Sequence, residues 1–401
     1  MSVECRQDGA QGTGRRVAAG GALFSVAVAL TALNLRPAIT SVGPLLDETR
    51  ASLGASETWA GLLTTVPVLC FAVAGLIAPL LARRAGVGAA VSIALALLAG
   101  GLVLRVLDGS LLMIGGTLVA AAGIAFAGVL IPVVVKESFP ARIGLMTGVY
   151  TAALQLGATL GSALTPPLDI ALGGWRPALA TWAAPAVLAL VVWTVAARRG
   201  GFGAAAQADR QGRSLLRNRL AWIITVFFGL QALLAFVVIG WLPRVLMDVG
   251  GVGRGEAGLL LGLLALLALP ISLVVPALAA RSGSQSGWIV GLGGCGLAGL
   301  LGLLLAPSFS PLLWTVLLGL GMSVFSLALT TIALRARTGQ DTAKLSGMAQ
   351  GFGYLLAAAG PFLFGLLHDV TGGWTVPFLM LIGVLVVQIG VGALAGRPRY
   401  V

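Results

Sequence analysis

Charge is what this chain has least of. Of its 401 residues only 9% are charged, against roughly 25% in an ordinary soluble domain. The 58% hydrophobic share then excludes a soluble globular fold and implies a polytopic membrane protein. Histidine occurs once and cysteine three times, at Cys5, Cys70 and Cys295, too far apart for a disulfide framework or a metal-ligand spacing. No Asp or Glu lies deep in an apolar segment, and no Gly-x-x-x-x-Gly-Lys-Ser/Thr loop is present. Paired-carboxylate, Ser-His-Asp and ATP-hydrolysing chemistries are thereby excluded, and neither a metal nor a cofactor is expected.

What the chain does have is long apolar runs. They suit membrane helices of about 20 residues, and the strict alternation of barrel strands is missing. The fold class is all-α. We read twelve spans near residues 19–44, 57–81, 88–106, 110–135, 143–166, 175–197, 219–243, 256–279, 286–306, 310–334, 344–367 and 373–396. The polar stretch 1–16 reads as a tail before a retained first helix, because the apolar run after it is too long for a signal-peptide core.

The net charge of +12 comes from basic residues scattered at span ends, which argues against nucleic acid as a partner. With an inside amino terminus, 19 of the 25 basic residues fall on one face and Arg50, Arg105, Arg176, Arg244 and Arg254 on the other. The positive-inside rule then places both termini in the cytoplasm. The longest polar interruption, Arg198–Arg219, follows the sixth span and reads as a flexible linker. It divides the chain into a first six-helix bundle (1–197), a linker (198–218) and a second bundle (219–401).

An internal repeat supports that division. Gly173-Gly174-Trp175 recurs as Gly372-Gly373-Trp374, an offset of 199 residues, and the same offset carries Gly148 to Gly347 and Gln155 to Tyr354. Pro79-Leu80-Leu81-Ala82-Arg83-Arg84-Ala85-Gly86 recurs near Pro276–Gly283 at an offset of 197. Six spans separate the copies, so they keep one orientation. Parallel repeats with a site at their interface suit a transporter.

Arg36 is the exceptional residue. It interrupts Leu23–Pro44, a stretch with no other charge, and an arginine at membrane depth is costly unless it faces protein or a watery cavity. Asn34 and Pro37 beside it suggest a locally opened helix. With no deep carboxylate to pair with, Arg36 is expected to offer its planar fork of donors to a small anionic or polar solute. Thr40, four residues on, shares its face, whereas Asn34 lies about 160° round an ideal helix and reaches the same cavity only if the helix is distorted. Further candidate contacts are Tyr150 and Gln155 in span five, Gln350 and Tyr354 in span eleven, and Gln231 and Trp241, with Phe236, in span seven. Each also has a plain structural alternative: polar side chains glue helices together and aromatics pack. His368 at the end of span eleven is expected to cap carbonyls or meet solvent.

The twelve spans, central loop and basic loops after spans two and eight resemble the major facilitator superfamily. Leu33-Asn34-Leu35-Arg36-Pro37-Ala38-Ile39-Thr40-Ser41-Val42-Gly43-Pro44-Leu45-Leu46 and Trp59-Ala60-Gly61-Leu62-Leu63-Thr64-Thr65-Val66-Pro67 resemble its bacterial cyanate/nitroimidazole permease branch. The resemblance implies a monomeric secondary transporter of the inner membrane, with the lipid bilayer and a small molecule as its partners. It also implies a charge relay in the loop after span two. Here Pro79 and Arg83 stand where the superfamily's glycine and aspartate would be, so gating is expected to rely on Arg83 and Arg84 meeting Glu137. Facilitated diffusion, exchange and proton co-transport stay open, and a drug exporter of the same fold is the alternative reading.

Overall fold

A computed structural model describes residues 23–55, 57–199 and 215–401. The amino-terminal tail and most of the predicted linker lie outside the described residues. The described chain is all-helical. Eleven helices are long and apolar enough to cross a membrane, and the 29-residue helix Glu57–Ala85 fills the remaining predicted place.

Span one covers Leu23–Leu45 and is broken, with turns at Leu35 and Arg36 followed by the four-residue helix Pro37–Thr40. Span two is Glu57–Ala85, span three Val87–Leu104, span four Ser110–Ser138 and span five Ile143–Leu172. Span six is interrupted, as Trp175–Ala180 and Ala183–Arg199. Spans seven to nine are Arg219–Asp248, Arg254–Arg281 and Ser286–Leu305. Span ten breaks at Ser323 between Pro311–Met322 and Val324–Arg335. Spans eleven and twelve are Gly339–Thr371 and Thr375–Ala395. Several helices outrun their expected ends. Span five continues through Pro166 and Pro167, where a stop was expected. Prolines inside membrane helices are tolerated where neighbouring helices and side chains support the backbone; one turn earlier the Thr165 hydroxyl donates to the Gly161 carbonyl at 2.5 Å.

The repeat is visible in the backbone. Span five ends on Gly173 at φ 74° and span eleven on Gly372 at φ 66°, each with its N–H bonded four residues back, to Asp169 and His368. Both copies need glycine because the helix is closed by a left-handed residue.

The two halves meet most closely towards the face that carries Arg83, Arg84, Arg281 and Lys344. Gly75 of span two lies against the backbone of Gly351 in span eleven, and Gly347 against Pro79. Gly144 and Gly148 of span five lie against the backbone of span eight at Ala277 and Ser272–Leu273. These glycines are where helices from opposite halves come within backbone contact, and a side chain there would prise them apart.

Candidate functional site

A cavity of about 510 Å³, its open mouth included, lies between the halves. Spans one, two, four and five line it from the first half, and spans seven, ten and eleven from the second. Its polar groups are few: Arg36, Tyr150, Gln350 and Tyr354. The rest of the wall is apolar and includes Phe71, Phe236 and Phe325.

Arg36 reaches the cavity because span one stops being a regular helix at that point. Pro37 has no N–H to continue the ladder, and Arg36 becomes the amino-terminal cap of the next short helix. Its carbonyl is taken by the N–H groups of Ile39 and Thr40, each at 3.0 Å. Its guanidinium lines the cavity, and among the described residues no hydrogen bond or ion pair ties it down. Tyr150 and Tyr354 line the same cavity.

Tyr354 is held by a cage of rings. Phe71 lies 5.5 Å away, Phe228 meets it edge-on at 5.4 Å, and Phe236 stacks on it at 6.1 Å. Such pairs add about 0.5–1.5 kcal/mol each beyond area burial. Gln350 lines the cavity, but both hydrogens of its amide are spent on protein. It donates to the Gly128 carbonyl of span four at 3.1 Å and to the Ser346 hydroxyl at 3.0 Å. Gln350 therefore ties the halves together, and its amide oxygen is what it can offer a solute.

Five of the expected contacts lie off the cavity wall. Asn34 is buried and donates to the Leu30 carbonyl at 2.8 Å, on its own helix. The Thr40 hydroxyl goes back to the Arg36 carbonyl at 3.2 Å and packs where span five offers Gly161. Gln155 is half-buried and does not line the cavity, so Tyr150, not Gln155, is the polar span-five residue that shares the cavity with Tyr354. Gln231 is fully buried within the second half, donating to the Met322 carbonyl and accepting from Gln388. Trp241 donates to the Pro361 carbonyl at 3.2 Å and packs on Phe364 and Trp374. For Asn34, Thr40, Gln231 and Trp241 a protein acceptor or ring takes up the side chain. His368 stacks on Trp374 at 3.9 Å instead of facing open solvent.

Phe71 and Phe325 escaped sequence reasoning, since a phenylalanine on an all-apolar helix carries no mark of the face it occupies. Arg105 was misplaced: it was counted to a loop, and the structure buries it completely at the end of span three. Its guanidinium donates to the Ala38 carbonyl and, at 3.2 Å, to the Ser41 hydroxyl.

At the basic face Arg83 and Glu137 line one smaller cavity with Lys344, but no ion pair joins Arg83 or Arg84 to Glu137 among the described residues. A cross-half contact here is made by Lys136. From span four it donates to the carbonyl of Ala333, at 2.9 Å, and to that of Ala336, at the end of span ten. A cation there meets carbonyls without helical donors and the negative end of the helix dipole. Glu137 lies against Gly339, the first residue of span eleven, where a carboxylate meets the positive end.

The pattern of the Major Facilitator Superfamily matches residues 18–334. The chain is 39% identical to the uncharacterized transporter YycB of Bacillus subtilis, over 92% of both chains. It is 36% identical to the 2-nitroimidazole transporter of Escherichia coli, over 93% of this chain and 95% of that one. It is 31% identical to the cyanate transport protein CynX of the same species, over 90% and 94%. In fold it is similar to the transporter FucP in the outward conformation, at a TM-score of 0.74 and 14% identity, over 92% of this chain and 98% of that one. The chain belongs to the Major Facilitator Superfamily.

Proposed function

We propose that this superfamily transporter moves a small polar or anionic solute, of the cyanate-like anion or nitroheterocycle class, across the bacterial cytoplasmic membrane by alternating access. The observation that carries the reading is the Arg36 guanidinium, at membrane depth, on a cavity wall and without a protein counter-charge. An arginine kept in that state costs stability and is expected to be repaid by a ligand. Its fork suits a carboxylate, a nitro group or a linear anion, and the rings beside it suit a planar body. The names of the relatives agree with this class.

The moving units are residues 1–197 and 219–401, joined by the cytoplasmic linker 198–218. The close seams at the basic face, with Lys136 and Glu137 across them, support reading this as the outward-facing state with its cytoplasmic gate closed. Arg83 and Arg84 border that gate. A charged solute would also feel the membrane potential, at ~2.3 kcal/mol per charge per 100 mV. The aromatic wall favours drug export as a second reading, in which Arg36 would matter little.

The test is a thermal-shift screen of small anions and nitroheterocycles on purified protein, repeated on Arg36→Gln. A ligand that stabilises the wild type should lose its effect in a variant that still folds. An unchanged shift would remove Arg36 from the site and favour the exporter.

A further inference from the structure

We infer that Arg105 is a positioning residue, which fixes the break in span one so that Arg36 presents its guanidinium to the cavity. The inference builds on the proposed role of Arg36, but what it asserts is geometry, and it can fail separately.

The backbone around the break gives the reason. In an uninterrupted helix the Ala38 carbonyl would accept from the N–H of Val42. Here that N–H turns to the Ile39 carbonyl, at 3.2 Å, as the chain tightens towards Gly43–Leu45. The Ala38 carbonyl is thus released among buried residues, where an acceptor without a donor is strongly disfavoured. Arg105 supplies the donor. One arm of its fork takes the Ala38 carbonyl, and the other takes the hydroxyl of Ser41, which is fully buried. Both acceptors belong to the short helix that starts immediately after Arg36 or to its cap. A planar fork gripping two points of one helical turn fixes its rotation as well as its depth, which a single point charge does not do.

The base of this clamp is firm. Where Gly116 lacks a side chain, span four receives the backbone and Cβ of Arg105 directly. The far side of the break is held by span five, where Gly157 faces the Leu33 carbonyl and Pro37, and Gly161 faces Pro37 and Thr40. Span one is therefore gripped from two sides at the turn that aims Arg36. No described carboxylate bonds to Arg105, so its charge is met only by these acceptors. A fully buried cation is an expensive way to satisfy one carbonyl, and orientation is the return it offers.

The test reads the direction of residue 36 without any substrate. In a background of Cys5→Ser, Cys70→Ser and Cys295→Ser, the thiol introduced by Arg36→Cys is modified by a small, membrane-impermeant cationic methanethiosulfonate. Adding Arg105→Lys or Arg105→Gln should slow that reaction at least fivefold. The thiol of a parallel Leu329→Cys reporter, on the opposite cavity wall, should keep its rate within twofold. Ser41→Ala removes only one acceptor and serves where the Arg105 variants do not fold; it should slow the reaction twofold or more. Modification at position 36 within twofold of the parent, in Arg105 variants that elute as folded protein or otherwise in Ser41→Ala, would overturn the inference. Because no solute is involved, that result would leave the proposed transport role of Arg36 standing. Conversely, loss of that role would not touch the clamp.

Discussion

Replacing Lys136 with methionine should open the basic face. The lysine donates to two carbonyls at the end of span ten, and both contacts cross between halves. A hydrogen bond from a charged donor is worth about 1.5–3 kcal/mol when buried. Lys136 is only half-buried, so much of its gain is offset by lost hydration, and about 2 kcal/mol for the pair is a fair figure. If both contacts break when the face opens, their loss shifts the equilibrium by about 30-fold towards the open form. Methionine keeps most of the apolar stem, so the packing of span four should survive. The shift can be read with Ser272→Cys, in the background free of other cysteines. Ser272 is buried in span eight against Gly148 of span five. Its rate of modification from the basic side should rise about 30-fold in Lys136→Met and stay near the parent's in Lys136→Arg. A rate within twofold of the parent in both variants would refute the latch.

Two further outcomes follow from the packing and the charge pattern. Tyr354→Ala removes the ring at the centre of the Phe71, Phe228 and Phe236 cluster, and because one face of that ring borders the cavity it should cost about 2–4 kcal/mol. Tyr354→Phe should cost under ~1 kcal/mol; melting temperatures in detergent separate the two. A fluorescent protein fused after Val401 should be bright in intact cells and a phosphatase fused there inactive, since 19 basic residues share the face of the termini; the reverse pattern would invert the topology.

The architecture was legible because length and apolarity suffice for membrane spans, and because the repeat left glycines at matching helix ends. Arg36 was legible for the same reason that it is costly, being a lone charge in an apolar run. Tyr150 and Tyr354 were found as polar groups on apolar helices. Asn34, Gln155, Gln231 and Trp241 carried the same mark and point elsewhere. A helix apolar on every side has no stripe from which to read the facing of a polar group, and nearby carbonyls compete for it. Arg105 was misjudged because span-end charges were assigned to loops, whereas the break in span one creates a buried acceptor that only the folded backbone reveals. Lys136 was hidden in the count of basic residues on one face, and its partners, main-chain carbonyls about 200 residues away, leave no trace in side-chain chemistry.

The most direct test compares two quantities in Arg36→Gln: the stability of the protein without solute, and its affinity for the ligand that the screen identifies. An unpaired guanidinium held for a ligand should make the variant at least as stable as the wild type when empty, while affinity falls by about 2–4 kcal/mol, or roughly 30- to 1000-fold. A variant that melts well below the wild type yet binds the ligand equally tightly would show that Arg36 serves the scaffold, and would contradict the account.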